Sequence, residues 1–329
     1  MDSGGFLLST FFVMQVLAPV VDDLKEQASR FVRFLPRLWP LYVMVIPALI
    51  HLVLLSYYPM YGIRIAFQDY KPALGFAKSP WVGLKQFQLM LENPSFWQIF
   101  RNTIVIATSK IVTLQFCAVI LALLLNEVRK LFYKRSVQSL VYLPYFLSWI
   151  VLGGIMLEML GSAGVVNQLL QRAGVEQPII FLGNNRTFVP TLVASHLWQQ
   201  VGWATILYLA ALTSIDPQLL EAAAIDGAGR FQRVLYIILP GVLPTLLLVL
   251  CLDFGLLFNA AGFDQVLNLY NPAVYSTGDI LDTWIYREGL LGARFSLATA
   301  VGLVRSVLGL ILIVVSLRLI SRFTDYQVY

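Results

Sequence analysis

The chain has 329 residues, 58% of them hydrophobic and 12% charged, with a mean hydropathy of +0.75. A soluble domain of this length cannot bury so much apolar surface, so the composition places the chain in a lipid bilayer. The net charge of +5 sits largely in short basic loops and calls for no nucleic acid, and the two cysteines, Cys117 and Cys251, lie in separate apolar runs that indicate neither a disulfide framework nor a metal cluster.

Residues 6–21 form a short apolar run broken by Gln15 and Pro19 and preceded by Asp2 with no basic residue. A secretory signal needs a basic lead-in, so this run is expected as an interfacial or packed helix. In the following DDLKEQASRFVRFL, Leu24, Ala28, Phe31 and Leu35 repeat at helical spacing opposite Asp22, Lys25 and Arg33, the pattern of a helix lying on a membrane surface. Residues 1–37 are thus set apart as a hydrophobic and amphipathic segment from a transmembrane domain over 38–329.

Six segments reach the length of about 20 residues that a spanning helix needs. They are 38–58, 103–125, 137–159, 191–212, 239–258 and 298–320. Pro47, Pro144 and Pro244 fall within or near them and are tolerable where neighbouring helices satisfy the freed carbonyls. Arg30, Arg33 and Arg37 precede the first segment, Arg129, Lys130, Lys134 and Arg135 follow the second, Arg230 and Arg233 follow the fourth, and Arg318 and Arg322 close the sixth. The bias of basic residues toward the cytoplasm then puts both termini and the loop after the fourth segment on that side. The loops 60–102, 160–190 and 259–297 face outward; their Gly, Pro, Tyr and Trp, as in YGIRIAFQDYKPALG and LYNPAVYSTGD, indicate ordered structure built to meet something outside.

The polar interruption at 216–240, DPQLLEAAAIDGAGRFQRVLYIILP, organises the rest. Asp216 supplies an N-cap and Pro217 a first helical residue, since a carboxylate accepts an orphan N–H and proline has none to lose. Ile215 and Leu220 occupy the two positions of a hydrophobic staple. The spacing predicts a helix over 217–225, about 14 Å long, ended by the Asp226–Gly227 turn. Ala222, Ala223 and Ala224 leave its surface smooth enough for another protein's cleft to close on it, with Glu221 as a charged grip.

There is no GxxxxGK[ST] cradle for nucleotide phosphates, and His51 and His196 lie in different spans without ligand-spaced partners. No nucleophile, base and orienter can be assembled, so the chain is not expected to be an enzyme; its energy comes from a partner or an ion gradient. Within the spans lie Lys110, Glu158, Asp253 and Arg305, whose exposure to lipid costs several kcal/mol each. They are expected to face the bundle interior, an aqueous path or one another. His196, Trp198, Gln199, Gln200, Trp203 and Tyr208 enrich the fourth span in aromatic faces, which suit sugar C–H surfaces, and in amides, which suit hydroxyls; packing between helices explains the tryptophans equally well.

The EAA triplet at 221–223, followed by Gly227, Ile237, Leu239 and Pro240, resembles the cytoplasmic loop by which permease subunits of binding-protein-dependent ABC importers engage their ATPases. SYYPMYGIRIAFQDYKP, SPWVGLKQF, LALLLNEV, YLPYFLSWIV, YLAALTSIDPQLLEAAAIDGAGR and FSLATAVGLVRSVLGLIL extend the resemblance over about 36–320 to LplB-type permeases, a maltose-related branch of carbohydrate importers that includes permeases for polysaccharides and for uronate oligosaccharides such as alginate. The hydrophobic N-terminal extension departs from that pattern. The resemblance implies an all-α integral membrane bundle in the bacterial inner membrane, one of two permease subunits served by two ATPases that hold ATP and Mg, with an extracytoplasmic solute-binding protein delivering a saccharide. It implies an ATPase-coupling set of Glu221, Ala222, Ala223, Ala224, Asp226, Gly227 and Arg230, and the polar and aromatic residues read within the spans, Lys110, Glu158, His196, Trp198, Gln199, Trp203, Tyr208, Asp253 and Arg305, are the expected substrate path. An ion-coupled secondary transporter of a small polar solute, with Asp253 or Glu158 as relay, is the main competing class; it leaves the docking loop without a role and would call for an internal repeat that is not seen. A membrane assembly factor would explain the docking helix but not the polar residues inside the spans.

Overall fold

The computed structural model describes residues 39–128 and 130–323, so the segment expected over 1–37 lies outside the described residues. Their secondary structure is helical, apart from one isolated bridge between Gln68 and Trp81. By compactness the chain divides into residues 1–63 and 64–329. In the first part, helix α1 (Trp39–Leu52) continues through a wider π segment (Val53–Tyr57) into a short turn (Tyr58–Met60). The helical run Trp39–Phe67, of 29 residues, is long and apolar enough to cross a bilayer.

The second part is a helical bundle whose longest member is α2 (Pro94–Glu127), 34 residues and about 51 Å long. It starts well before the expected span because Asn93 accepts from the Ser95 N–H at 3.0 Å and Pro94 takes the first helical position. A cap fixes where a helix begins, whereas hydropathy reports only the part inside lipid. Next come α3 (Leu131–Tyr142) and α4 (Trp149–Leu160), separated by a tight turn at Leu143–Phe146 and by extended backbone at Leu147 and Ser148. The segment 137–159, expected as one span, is therefore broken. Pro144 has no N–H to donate to the preceding turn, the backbone becomes extended at Leu147, and Ser148 restarts the helix by accepting from the Val151 N–H.

Helix α5 (Asn185–Thr213) has 29 residues, about 43 Å, enough to span. It is less apolar than the helical runs Trp39–Phe67, Pro94–Glu127, Trp149–Arg172, Arg230–Gly255 and Phe295–Ile320, which are long and apolar enough to cross a bilayer, since it carries Ser195, His196, Gln199 and Gln200. Then follow α6 (Pro217–Ile225), α7 (Leu239–Gly255), the short α8 (Leu257–Ala260) and α9 (Phe263–Leu269), and the closing α10 (Phe295–Phe323). The span expected over 239–258 stops at Gly255, where Leu256 leaves helical geometry.

Helices α2 and α5 run side by side in the same direction. Asn102 and Asn185, near their starts, both bond Ser276, and Thr205 of α5 reaches the Ala118 carbonyl further along. Two apolar clusters hold the bundle. One joins Phe96, Ile106, Phe188, Leu192, Leu257 and Trp284; the other joins Ala118, Ala122, Tyr208, Leu212, Ile238 and Val242 beside the α6 loop. The loops expected to be ordered are so: Asp279 is buried and paired with Arg287, which also lies over the Tyr275 ring at 4.4 Å. Burial opposes the Arg287 charge, but bonding and attraction to Asp279 outweigh it and hold the guanidinium above its ordinary range.

Candidate functional site

The α6 loop folds as its sequence directs. Asp216 accepts from the Gln218 N–H at 2.9 Å, with Pro217 behind it, and the helix runs to Ile225. At its end the Ala228 N–H reaches the Ala223 carbonyl at 2.8 Å and the Gly227 N–H reaches the Ala224 carbonyl at 3.2 Å, a Schellman closure. That closure needs a left-handed residue, and Gly227 supplies it with φ +83°. Gly229 N–H then bonds the Gln232 side chain at 2.7 Å, starting the turn Arg230–Arg233 that leads into α7.

Helix α6 buries none of its own residues, and Glu221, Ala222, Ala224, Asp226 and Arg230 are exposed. It is tethered from below, as Ile215 and Leu220 rest on the second apolar cluster. Ala223 is half-buried and lines a cavity of about 330 Å³ with Asp226, Gly227, Gln232, Arg233 and Tyr236. Ile225 and Phe231, 87% and 78% exposed, flank it with apolar surface.

Of the polar residues expected in the spans, two prove to be committed to backbone. Lys110 of α2 is 1% exposed, and its Nζ donates at 2.6 Å to the Ala261 carbonyl, freed where the chain breaks between α8 and α9. Gly262 follows with φ +77°, and a Cβ there would lie 3.0 Å from Nζ. Gln199 of α5 is 4% exposed and donates at 3.0 Å to the Leu147 carbonyl, freed at the break between α3 and α4. Both breaks survive in the bundle because a long neighbouring helix satisfies the released carbonyl.

Arg305 of α10 reaches Asn259 at 2.8 Å and forms an ion pair with Asp282 at 3.0 Å. With Leu256, Asn259, Ser306 and Gly309 it lines an open recess of about 270 Å³ beside the end of α7. Tyr208 is 1% exposed and donates at 2.5 Å to Gln115, whose amide donates in turn to Asp253. Trp203 is half exposed and stacks on Tyr145 with ring centres 4.5 Å apart; Trp198 is also exposed and His196 half-buried. Glu158 is exposed at the end of α4, apart from the others.

The cations are thus balanced differently from the pairing that Glu158 and Asp253 offered in the sequence. Arg305 takes Asp282 from the short helix Leu281–Trp284, and Asp253 takes an amide. Gln115, Tyr145, Asn259 and Asp282 were not singled out by sequence. Only Gln115 carried a signal, as a polar residue inside an apolar run.

A family model described as the binding-protein-dependent transport system inner membrane component matches residues 115–325. The chain belongs to this family. It is 39% identical over 316 residues to the polygalacturonan/rhamnogalacturonan transport system permease protein YteP of Bacillus subtilis (strain 168), covering 95% of this chain and 98% of that protein. It is 43% identical over 274 residues to Protein LplB of the same organism, covering 83% and 86%. Among solved structures, the crystal structure of a bacterial ABC transporter involved in the import of the acidic polysaccharide alginate matches with a TM-score of 0.82 and 33% identity, over 90% of this chain and 99% of that one. A second, of the bacterial alginate ABC transporter in complex with an alginate pentasaccharide-bound periplasmic protein, matches with a TM-score of 0.81.

The chain is therefore an inner-membrane permease subunit of a binding-protein-dependent ABC transporter, a class that is not catalytic. An ion-coupled secondary transporter is displaced by this membership.

Proposed function

We propose that this permease forms one half of the transmembrane path of an ATP-driven importer of acidic oligosaccharides or polysaccharides. The observation that carries the reading is α6, a helix of nine residues, capped at both ends, that buries none of itself and offers Glu221 and a small-residue surface to a partner. Partner ATPases hold ATP and Mg, and the docking set is Glu221, Ala222, Ala223, Ala224, Asp226, Gly227 and Arg230. ATP closes the ATPase dimer and draws the docking helices together, which turns the path outward to receive solute from the extracytoplasmic binding protein. Hydrolysis resets it and releases solute inward. The basic residues favour an orientation with the α6 loop and both termini in the cytoplasm.

For the solute, the names of YteP and of the alginate importer favour a uronate-rich glycan. Arg305 and Asn259 in the open recess supply a guanidinium and an amide for carboxylates and hydroxyls. The half-exposed Trp198 and Trp203 supply aromatic faces, while Lys110 and Gln199 serve the path by holding its broken helices.

The test is reconstitution with the second permease, the ATPases and the binding protein, followed by screening of glycans for stimulated ATP hydrolysis. Uronate oligomers are expected to stimulate more than neutral oligomers of equal length. Failure of every glycan would sink the reading.

Gly227→Val supplies a narrower check. Beyond its chain neighbours, nothing lies within 4 Å of a Cβ at Gly227, so the Cβ has open space and the strain comes from φ +83°. The left-handed backbone costs an L-residue about 1–2 kcal/mol. Glycan-stimulated ATP hydrolysis is expected to fall several-fold in Gly227→Val and to hold in Gly227→Asn, because asparagine tolerates this region. Equal rates for both variants and the parent would remove the tight turn from the coupling argument.

A further inference from the structure

Gln115 is a buried amide within α2, 4% exposed. Its Oε1 accepts from the Tyr208 hydroxyl of α5 at 2.5 Å, and its Nε2 donates to the Asp253 carboxylate of α7. Helices α5 and α7 are the two that enter and leave the α6 loop. One side chain therefore ties both arms of the loop to a third helix. The polarity is fixed, because a carboxylate only accepts and the amide must turn its NH₂ toward it, leaving its oxygen for the phenol.

The two ends of this link face different parts of the molecule. Tyr208 belongs to the apolar cluster of Leu212, Ile238 and Val242, on which Ile215 and Leu220 rest from the docking loop. Asp253 lies two residues before Gly255, which lines the recess that holds Asn259 and Arg305. Contact is thus continuous from the docking helix through the cluster to Tyr208, Gln115 and Asp253, and the rigid backbone of α7 carries it the two residues from Asp253 to Gly255 at the recess. A displacement of α6 that shifts Tyr208 either carries Asp253 with it or breaks hydrogen bonds in a buried site, where their loss is costly.

We infer that Gln115 is a positioning residue that couples the docking loop to the solute recess. The inference rests on the reading of α6 as the docking helix. An amide that only glued three helices would affect assembly and stability alone, whereas a coupling link sets how much solute moves for each ATP hydrolysed.

The experiment compares the complete importer in vesicles, parent against Q115L, Q115E, Q115E/D253N, Y208F and A223W, reading solute moved per ATP and ATPase co-purification. Q115L and Q115E are expected to keep their ATPases and to lose about tenfold in solute moved per ATP, the size expected for one hydrogen bond to a charged group. In Q115E the new carboxylate faces Asp253. In Q115E/D253N it accepts from both the Tyr208 hydroxyl and the introduced amide, and the ratio is expected to return to within about twofold of the parent. A parental ratio in Q115L, or no recovery in the double variant, would overturn the inference. Should Q115L fail to insert, Y208F carries the test, since it removes one hydroxyl from the same chain; a parental ratio there is equally fatal. A223W separates the two readings: retained ATPase binding in that variant defeats the docking helix itself, whatever Gln115 does.

Discussion

Replacing Ala223 by tryptophan is expected to abolish uptake and to strip the ATPases from the permease, while leaving membrane insertion intact. Ala223 holds the C-terminal turn of α6 through its carbonyl, and its side chain faces the cavity bounded by Gln232, Arg233 and Tyr236. An indole there either fills that cavity and pushes α6 off Tyr236 or turns outward into the surface a partner must close on. Overpacking costs about 1–3 kcal/mol, and disruption at the centre of an interface about 2 kcal/mol or more, so association is expected to weaken by at least about 30-fold. Ala223 itself belongs to neither apolar cluster that holds the bundle, and of α6 it is Leu220 that packs against one of them, so insertion has no reason to suffer. Ala222→Ser, a small change on the exposed face, is expected to stay near the parent. Co-purification of the ATPases and uptake in vesicles are the two measurements, and normal uptake in Ala223→Trp would refute the assignment.

The helix Pro217–Ile225 was legible because its determinants are local. Asp216, Pro217 and Gly227 lie within a dozen residues, and each acts on its own stretch of backbone. The broken third segment was harder. Pro144 is compatible with a kinked span or with a full break, and the choice depends on Gln199, fifty-two residues later, being present to hold the Leu147 carbonyl. Nothing in the run 137–159 itself reports that partner. The same holds for Lys110 and Ala261, which lie 151 residues apart. A charge inside a span announces that it is compensated, but its partner is decided by the register of packed helices. The start of α2 at Pro94 was readable in principle from the Asn93–Pro94–Ser95 cap, which hydropathy alone passes over.

Lys110 and Arg305 look alike in sequence, as single cations inside apolar runs, and their surroundings differ enough to predict a non-selective loss at one and a uronate-selective loss at the other. Lys110→Met leaves the buried Ala261 carbonyl without its donor, a cost of about 1–3 kcal/mol borne by the helix break itself. Since Lys110 is 1% exposed, it meets no solute, and uptake of neutral and uronate oligomers is expected to fall by the same factor. Arg305→Met acts on the recess. It frees Asn259, leaves Asp282 unpaired and turns the local charge from balanced to negative. A neutral oligomer loses one donor there, whereas a uronate loses its attraction and meets an uncompensated carboxylate. At about 1.5–3 kcal/mol for a charge-assisted bond, uronate uptake is expected to drop about 10- to 100-fold further than neutral uptake. Arg305→Lys keeps the charge but not the planar fork, so it should recover part of the uronate rate and still trail the parent. Initial rates with matched neutral and uronate oligomers decide the matter: equal losses for both in Arg305→Met would make Arg305 a structural partner of Asp282, and loss concentrated on uronates would place it against the solute.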